Sequence, residues 1–121
     1  RKEVQLKDAI KQWGNIAGLV AGFLQSDYEL ISRSLEDVII EPIRSILIPG
    51  FDEIKVKCKE AGALGGGISG SGPSVFMLSK EENTAKNVEQ VMKDIYDKIG
   101  VDYHTHVTTV NNNGVKIVSG Q

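Results

Sequence analysis

Residues 62–78 read GALGGGISGSGPSVFML, a glycine-rich run followed by a short apolar one. Six of the 13 glycines of the chain fall between Gly62 and Gly72, and SVFML comes directly after Pro73. Valine and phenylalanine favour strands, whereas clustered glycine, serine and proline favour turns. The run therefore predicts a strand, a glycine loop and a second strand that returns beside the first.

The glycine loop has two possible uses. Gly65, Gly67 and Gly70 match the spacing G-x-G-x-x-G, but a dinucleotide-binding loop of that kind opens a helix, whereas SVFML announces a strand. A Walker A loop is excluded because no lysine directly follows the glycines. Backbone N–H groups and serine hydroxyls in such a loop suit either a structural turn or a nest for phosphate or carboxylate. Both readings stay open at this point.

The amino-terminal part of the chain has helical periodicity. Residues 7–25 carry apolar side chains at spacings of three and four, which predicts one helix with an apolar stripe. Trp13 belongs to this stripe and is expected in the core rather than as a stacking platform for a ligand. Gly14, Gly18 and Gly22 recur every four residues, so we expect another backbone to approach this helix closely.

Capping-box patterns, Ser or Thr followed three residues later by Glu, start at residues 26 and 79 and predict the beginnings of two further helices. The remaining predicted elements follow from apolar periodicity and from the positions of glycine and proline. The predicted elements are a helix from Ser26 through Val38 before Pro42, an irregular segment at Ile43–Pro49, a helix from Phe51 to Ala61 that Gly62 ends, a helix from Ser79 to Gly100, and a hairpin of residues 101–110 and 115–119 around Asn111–Gly114.

This order, helices followed by β-β, α and β-β, predicts an α+β fold. Segregated helices and strands of this kind form an antiparallel sheet with helices packed on one face, here of the ferredoxin-like type. No repeat or linker divides the chain, so one domain is expected.

Composition excludes several function classes. The 121 residues are 40% hydrophobic and 25% charged, as in ordinary globular domains. The formal net charge of -2 argues against nucleic acid as a partner. No apolar run is long enough to cross a membrane and no signal-peptide core follows the N-terminus, so we expect no membrane partner and a cytoplasmic location. The single Cys58 is expected to be a reduced thiol in the core.

Two blocks of sequence resemble a known family. GGGISGSGPSVF, residues 65–76, resembles the third conserved motif of the GHMP small-molecule kinases in the form found in their homoserine kinase branch. DVIIEPIRSILIPGFDEIK, Asp37 to Lys55, is similar to a block of that branch reading approximately D-x-I-x-E-P-x-R-x-x-L-x-P-G-F. The resemblance covers nearly the whole chain, most strongly Asp37 to Met77, and corresponds to the carboxyl-terminal domain of those kinases.

This resemblance implies an ATP-dependent transfer of a phosphoryl group to the hydroxyl of L-homoserine, a step of threonine biosynthesis. It implies that Arg44 binds the homoserine carboxylate, and that Ser69, Gly70, Ser71 and Gly72 lie beside the substrate and help to position it. Phosphoryl transfer depends mainly on alignment and charge neutralisation, which suits these roles. No residue of this chain is expected to be a catalytic residue.

The rest of the kinase site is expected outside residues 1–121. The family carries its phosphate loop, P-x-x-x-G-L-G-S-S-A, and its acidic Mg2+-associated residue in an amino-terminal domain, and nothing in this chain matches either. ATP and Mg2+ are therefore expected to be bound mainly by that domain, and this chain alone is expected to be inactive. The resemblance also implies that the parent protein is a homodimer.

Two alternative functions remain open from the sequence. One is another GHMP kinase, for which the E-P-x-R block is unexpected. The other is a non-catalytic ferredoxin-like module that binds an amino acid or drives assembly.

Two further groups of side chains are candidate sites. His104 and His106, with Asp102, share one face of a predicted strand, which is a weak metal-site pattern and more typical of an exposed polar face. Glu36, Asp37 and Glu41 are more typical of a solvated helix end than of an acid and base pair, although the resemblance suggests that Glu41 orients Arg44.

Overall fold

The computed structural model describes residues 3–120 and has the predicted α+β fold. Within these residues no helix combines the length and the apolar character of a membrane span. The elements are α1 (Leu6–Gln25), α2 (Tyr28–Ser34), α3 (Glu41–Arg44), a 3-10 turn (Ser45–Leu47), α4 (Phe51–Glu60), β1 (Gly65–Ile68), β2 (Val75–Leu78) and α5 (Glu82–Ile99).

The glycine-rich stretch forms the predicted antiparallel hairpin. β1 and β2 pair over their whole length, with Gly65 opposite Leu78 and Ile68 opposite Val75. The backbones approach so closely that a Cβ atom added at Gly66 would lie 2.9 Å from the Cα atom of Met77. Real Cβ contacts do not reach that distance, so β1 depends on glycine at this position.

The core lies between the hairpin and the helices α4 and α5. Its buried side chains are Ile54 and Cys58 of α4, and Val88 and Ile95 of α5, with Ala63 before β1. Val75 and Met77 of β2 pack against this cluster from the sheet. The fold of this part therefore follows from one apolar face on each element.

Cys58 is the buried thiol that the sequence predicts. Its side chain has no exposed surface. Burial disfavours the thiolate and raises the pKa of Cys58 to about 11. Cys58 is therefore a structural residue and not a nucleophile.

The close approach predicted along α1 is confirmed at two of its three glycines. A Cβ atom added at Gly22 would lie 2.8 Å from Cγ1 and 3.1 Å from the backbone nitrogen of Ile31 in α2, and one added at Gly18 would meet Ser34. Nothing lies within 4 Å of the corresponding position at Gly14, because that turn of α1 extends past α2. The glycines thus let α2 pack against α1 at short range.

Both predicted capping boxes are wrong. α2 is capped by Asp27, whose Oδ1 accepts a hydrogen bond of 3.0 Å from the Leu30 N–H, while Ser26 ends α1 in the left-handed region at φ 54°. α2 stops at Ser34 rather than Val38. The side chain of Ser79 makes no cap, because α5 begins after Glu81 without a side-chain cap.

The prediction that Trp13 lies in the core is also wrong for the residues described. Its side chain is 62% exposed, and that of Leu24 on the same stripe is 83% exposed. α1 packs on α2 through its glycine face, so the apolar stripe faces away from the rest of residues 3–120. Helical periodicity identified the stripe but could not say what covers it.

The predicted carboxyl-terminal hairpin does not form within the part of the chain that the structure describes. The turn at Asn111–Gly114 is present, closed by a hydrogen bond of 2.7 Å from the Asn111 side chain to the Gly114 carbonyl. Residues 101–110 and 115–120 form no strand ladder, and Val115 and Ile117 are 98% exposed. β-prone residues form a ladder only when another backbone lies at pairing distance, and no ladder joins these two segments.

Candidate functional site

The segment that carries Arg44 is a single helical turn. α3 begins at Glu41, with Pro42 in its first turn. Proline suits this position because the backbone N–H groups of a first turn have no acceptor within the helix, so the N–H that proline lacks is not missed. The chain tightens into the 3-10 turn at Ser45, as the prediction of an irregular or one-turn segment at Ile43–Pro49 anticipated. Arg44 is exposed at the end of α3.

Arg44 lies against the glycine loop, residues 69–74. Its Nη1 donates a hydrogen bond of 3.0 Å to the backbone carbonyl of Ser71. The two blocks that carry the family resemblance are thus brought together across 27 residues of sequence. Among residues 3–120 no carboxylate oxygen lies within 4.0 Å of the Arg44 guanidinium. Arg44 is exposed, and its guanidinium makes no second hydrogen bond within residues 3–120.

Glu41 does not pair with Arg44, because it is engaged by Lys55 of α4. Lys55 Nζ lies 2.9 Å from Glu41 Oε1, and the two side chains are only 21% and 14% exposed. The same Nζ donates a hydrogen bond of 2.7 Å to the Gly66 carbonyl of β1. The expectation of a solvated Glu41 is therefore wrong, and its pairing with Lys55 leaves the charge of Arg44 uncompensated by this neighbour.

The glycine loop has the geometry of a tight, exposed turn. The Ser69 N–H donates to the Ser74 carbonyl at 2.8 Å, and the Gly72 N–H donates to the Ser69 carbonyl at 3.1 Å. Gly70 and Gly72 have φ of 61° and 75°, a region that side chains disfavour. Within residues 3–120 the N–H groups of Gly70 and Ser71 have no acceptor. The loop can therefore offer at least two backbone donors next to the Arg44 guanidinium.

Asp37 holds the segment that leads into α3 in a turn. Its Oδ1 accepts hydrogen bonds of 2.8 Å from both the Ile39 N–H and the Ile40 N–H. These bonds hold the turn that leads into Glu41, so Asp37 is occupied as a turn-forming residue rather than as an acid or base.

Two residues of α1 also bind the segment that leads into α3. Gln12 Oε1 accepts a hydrogen bond of 3.0 Å from the Val38 N–H, and the Asn15 side chain donates one of 2.9 Å to the Glu36 carbonyl. No pattern in the sequence indicated these roles or that of Lys55. In the sequence, Gln12 and Asn15 lie on the polar face of α1. Their position outside the apolar stripe is the one signal that could have indicated a binding role.

The histidine pair forms no metal site in the described residues. His104 and His106 are exposed and Tyr103 and Thr105 are half-buried, which is the alternation expected of an extended segment. No group of three or more His, Cys, Asp and Glu side chains among residues 3–120 is arranged to hold a metal ion.

Comparison with known proteins identifies the family. The family model described as GHMP kinases C terminal matches residues 19–98, which include both α3 and the glycine loop. The chain belongs to this family. As a GHMP kinase C-terminal domain, it is 50% identical over 99 residues to a homoserine kinase of Chloroherpeton thalassium and 42% identical over 120 residues to one of Chlorobaculum tepidum.

A solved relative has the same fold. The crystal structure of homoserine kinase from Cytophaga hutchinsonii superposes with a TM-score of 0.90 at 50% sequence identity over 94% of this chain. That match covers 36% of the Cytophaga chain, and the two bacterial relatives are covered over 31% and 37% of their lengths. This GHMP kinase C-terminal domain thus spans about a third of the length of the proteins it resembles.

Proposed function

We propose that residues 1–121 are the carboxyl-terminal domain of a homoserine kinase, which transfers the γ-phosphoryl group of ATP to the side-chain hydroxyl of L-homoserine in threonine biosynthesis. The similarity to homoserine kinases at 50% and 42% identity supports this substrate. The assignment of the site rests on the contact between Arg44 and the glycine loop. No carboxylate of the described residues pairs with Arg44, because Glu41 is paired with Lys55.

In this proposal Arg44 binds the carboxylate of homoserine. A guanidinium holds a carboxylate through two parallel hydrogen bonds, which fixes its orientation as well as its charge. Arg44 already uses one donor on the Ser71 carbonyl, and this contact fixes the side chain beside the loop before substrate arrives. Pre-ordering of this kind reduces the entropy lost when the substrate binds.

The loop residues Ser69, Gly70, Ser71 and Gly72 position the substrate beside Arg44. The free N–H groups of Gly70 and Ser71 suit an anionic or carbonyl oxygen of the substrate as their acceptor. Their part is alignment and stabilisation of charge, because bond making takes place at the γ-phosphate. No side chain of this chain is assigned a proton-transfer role.

ATP and Mg2+ are assigned mainly to the amino-terminal domain of the parent protein. When bound there, Mg2+ would supply positive charge that offsets the negative charge of the phosphoryl group during transfer. The residues of this chain supply the other side of the cleft, where the amino acid is held. A homodimeric parent protein and a cytoplasmic location stay predictions.

The test uses the parent protein extended to its native start. Mg-ATP and L-homoserine should give homoserine-dependent release of ADP, with little release from mevalonate or galactose. The 121-residue chain by itself should give none. If the folded parent protein releases no ADP with homoserine, the substrate is that of another GHMP kinase or the domain is a non-catalytic module.

Replacement of Arg44 tests the site. A charge-assisted hydrogen bond contributes about 1.5 to 3 kcal/mol, so Arg44→Ala should raise the KM for homoserine by about ten- to a hundred-fold and leave the KM for ATP unchanged. Arg33→Ala is the matched control, because Arg33 is an exposed arginine at the end of α2. Wild-type kinetics for homoserine in the Arg44 variant would overturn the assignment of this residue.

A further inference from the structure

Lys55 of α4 bridges the two elements that form the candidate site. Its Nζ lies 2.9 Å from Glu41 Oε1 in α3 and donates a hydrogen bond of 2.7 Å to the Gly66 carbonyl of β1. The ammonium group also lies over the Phe51 ring, 5.8 Å from its centroid. Because a carboxylate, a carbonyl and a ring surround this group, Lys55 acts inside the protein and not on a substrate.

α3 is held in place by polar contacts and not by a core side chain. None of its four residues is buried, and a single helical turn has no stability of its own. Glu41 is its one half-buried residue, since the other three are exposed. The pairing of Glu41 with Lys55 is therefore the most enclosed contact between α3, which carries Arg44, and the rest of the domain.

The Glu41 carboxylate lies directly on the backbone of β1. A Cβ atom added at Gly67 would lie 2.9 Å from Glu41 Oε2, which is closer than Cβ atoms approach other atoms in real structures. One carboxylate oxygen thus faces Gly67, and the other is paired with Lys55. Glycine at this position leaves room for the carboxylate, and Lys55 supplies the cation that a partly desolvated carboxylate requires.

Arg44 is the alternative cation for Glu41 within α3. The two residues are three positions apart in one helical turn, the spacing at which oppositely charged side chains on a helix form pairs. In the structure Arg44 instead donates to the Ser71 carbonyl, while Glu41 is paired with Lys55. A Glu41 that had lost Lys55 would compete for the Arg44 guanidinium with Ser71 and with any carboxylate bound there.

We propose that Lys55 is a positioning residue for the homoserine carboxylate: by binding Glu41, it keeps Arg44 on the glycine loop and available to the substrate. Lys55 acts through Arg44 and does not touch the substrate. This inference rests on the proposed function, in which Arg44 binds the substrate carboxylate. It differs from a purely structural role because it predicts a change in the KM for homoserine and not only in stability.

The test is steady-state kinetics of the intact parent protein with Mg-ATP and L-homoserine. Lys55→Met should raise the KM for homoserine by about three- to tenfold and leave kcat and the KM for ATP within about twofold of wild type. The rise is smaller than for Arg44→Ala, because the guanidinium is still present and Glu41 only competes for it. Partial unfolding lowers the apparent kcat and leaves the KM unchanged, so the KM separates positioning from stability.

Two variants test whether the charge at position 55 acts on Glu41. Lys55→Arg should keep the KM for homoserine within about twofold of wild type, because a guanidinium can also bind the carboxylate and the carbonyl. Adding Glu41→Gln to Lys55→Met should lower the KM again, because glutamine has no charge with which to bind Arg44. Lys57→Met is the matched control, because Lys57 pairs with the exposed Glu60 on the same helix, and its KM for homoserine should equal that of wild type.

A double-mutant cycle tests whether Lys55 acts through Arg44. Lys55→Met added to Arg44→Ala should cause no further rise in the KM for homoserine, because the guanidinium that Lys55 keeps available is already absent. Independent effects of the two residues would instead multiply.

Each of the following results would overturn the inference. A wild-type KM for homoserine in Lys55→Met would mean that Lys55 serves stability alone, and an equal rise in the KM for ATP would mean a general disturbance of the cleft. A further rise in the double variant with Arg44→Ala, or no recovery with Lys55→Arg or with added Glu41→Gln, would mean that Lys55 acts by another route. If Arg44→Ala itself leaves the kinetics for homoserine unchanged, the proposed site fails and this inference fails with it. A rise with Arg44→Ala and none with Lys55→Met overturns only the role of Lys55.

Discussion

Replacement of Lys55 by methionine is the sharpest test of how the site is held together. Lys55 Nζ joins two elements, because it lies 2.9 Å from Glu41 Oε1 of α3 and 2.7 Å from the Gly66 carbonyl of β1. Methionine keeps most of the apolar stem but removes both interactions. Glu41, only 14% exposed, would then be a half-desolvated carboxylate without a partner.

The expected loss follows from these contacts. Each hydrogen bond to a charged group contributes about 1.5 to 3 kcal/mol, and residual exposure lets water replace part of this, so we expect a loss of about 2 to 3 kcal/mol in the free energy of unfolding. With an m-value of about 1.5 kcal/mol per molar urea, the midpoint of urea unfolding should fall by about 1.3 to 2 M. Circular dichroism at increasing urea measures this midpoint.

Lys57→Met is a matched control on the same helix. Lys57 Nζ also lies 2.9 Å from a glutamate, Glu60, but the two side chains are 52% and 58% exposed. Solvent screens such a pair, so the midpoint should not change measurably. Equal losses in the two lysine variants would refute the reasoning that burial and the second hydrogen bond to Gly66 give Lys55 its importance.

Two further predictions concern packing and pH. Gly22→Ala should destabilise the chain by about 1 to 3 kcal/mol, because the added Cβ would lie 2.8 Å from Cγ1 and 3.1 Å from the backbone nitrogen of Ile31, whereas Gly14→Ala, with nothing within 4 Å, should stabilise it by up to about 1 kcal/mol. Thermal unfolding of both variants checks this, and a change of the melting temperature in the same direction for both would contradict it. The raised pKa of Cys58, about 11 against an ordinary 9.0, means that the unfolded chain loses its thiol proton first, so stability is complete below about pH 9 and falls by about 2 to 3 kcal/mol as the pH rises to 11. Cys58→Ala should abolish that part of the pH dependence of urea unfolding, and an unchanged slope would rule out the thiol as its source.

Much of the site was predictable because it is local. The glycine loop could be placed between two strands from SVFML and the glycine spacing alone, since both signals lie within 17 residues. The one-turn segment at Arg44 followed from its two prolines, Pro42 and Pro49. The meeting of Arg44 with Ser71 could be expected only from the family resemblance, because no local pattern joins residues 27 positions apart.

The parts that failed depend on partners distant in sequence. A capping box requires that the backbone turn at the serine, and at residues 26–29 the chain turns one residue later, so Asp27 makes the cap. The apolar stripe of α1 and the β-prone residues 101–110 were identified correctly as patterns, but their burial and pairing depend on surfaces that residues 3–120 do not supply. Lys55 could not be singled out, because its two partners lie 14 residues before it and 11 residues after it.

The sequence by itself determined the α+β class, the helical stretches α1, α4 and α5, the glycine hairpin and the buried thiol of Cys58, because helix and strand periods and helix stops are properties of neighbouring residues. Only the tertiary structure decided that Lys55 and not Arg44 neutralises Glu41, and that within residues 3–120 one edge of β2 has no strand partner. A charge pair or a strand pair forms where two distant segments are packed at the right distance, and that distance is set by the core between α4, α5 and the hairpin rather than by either segment alone.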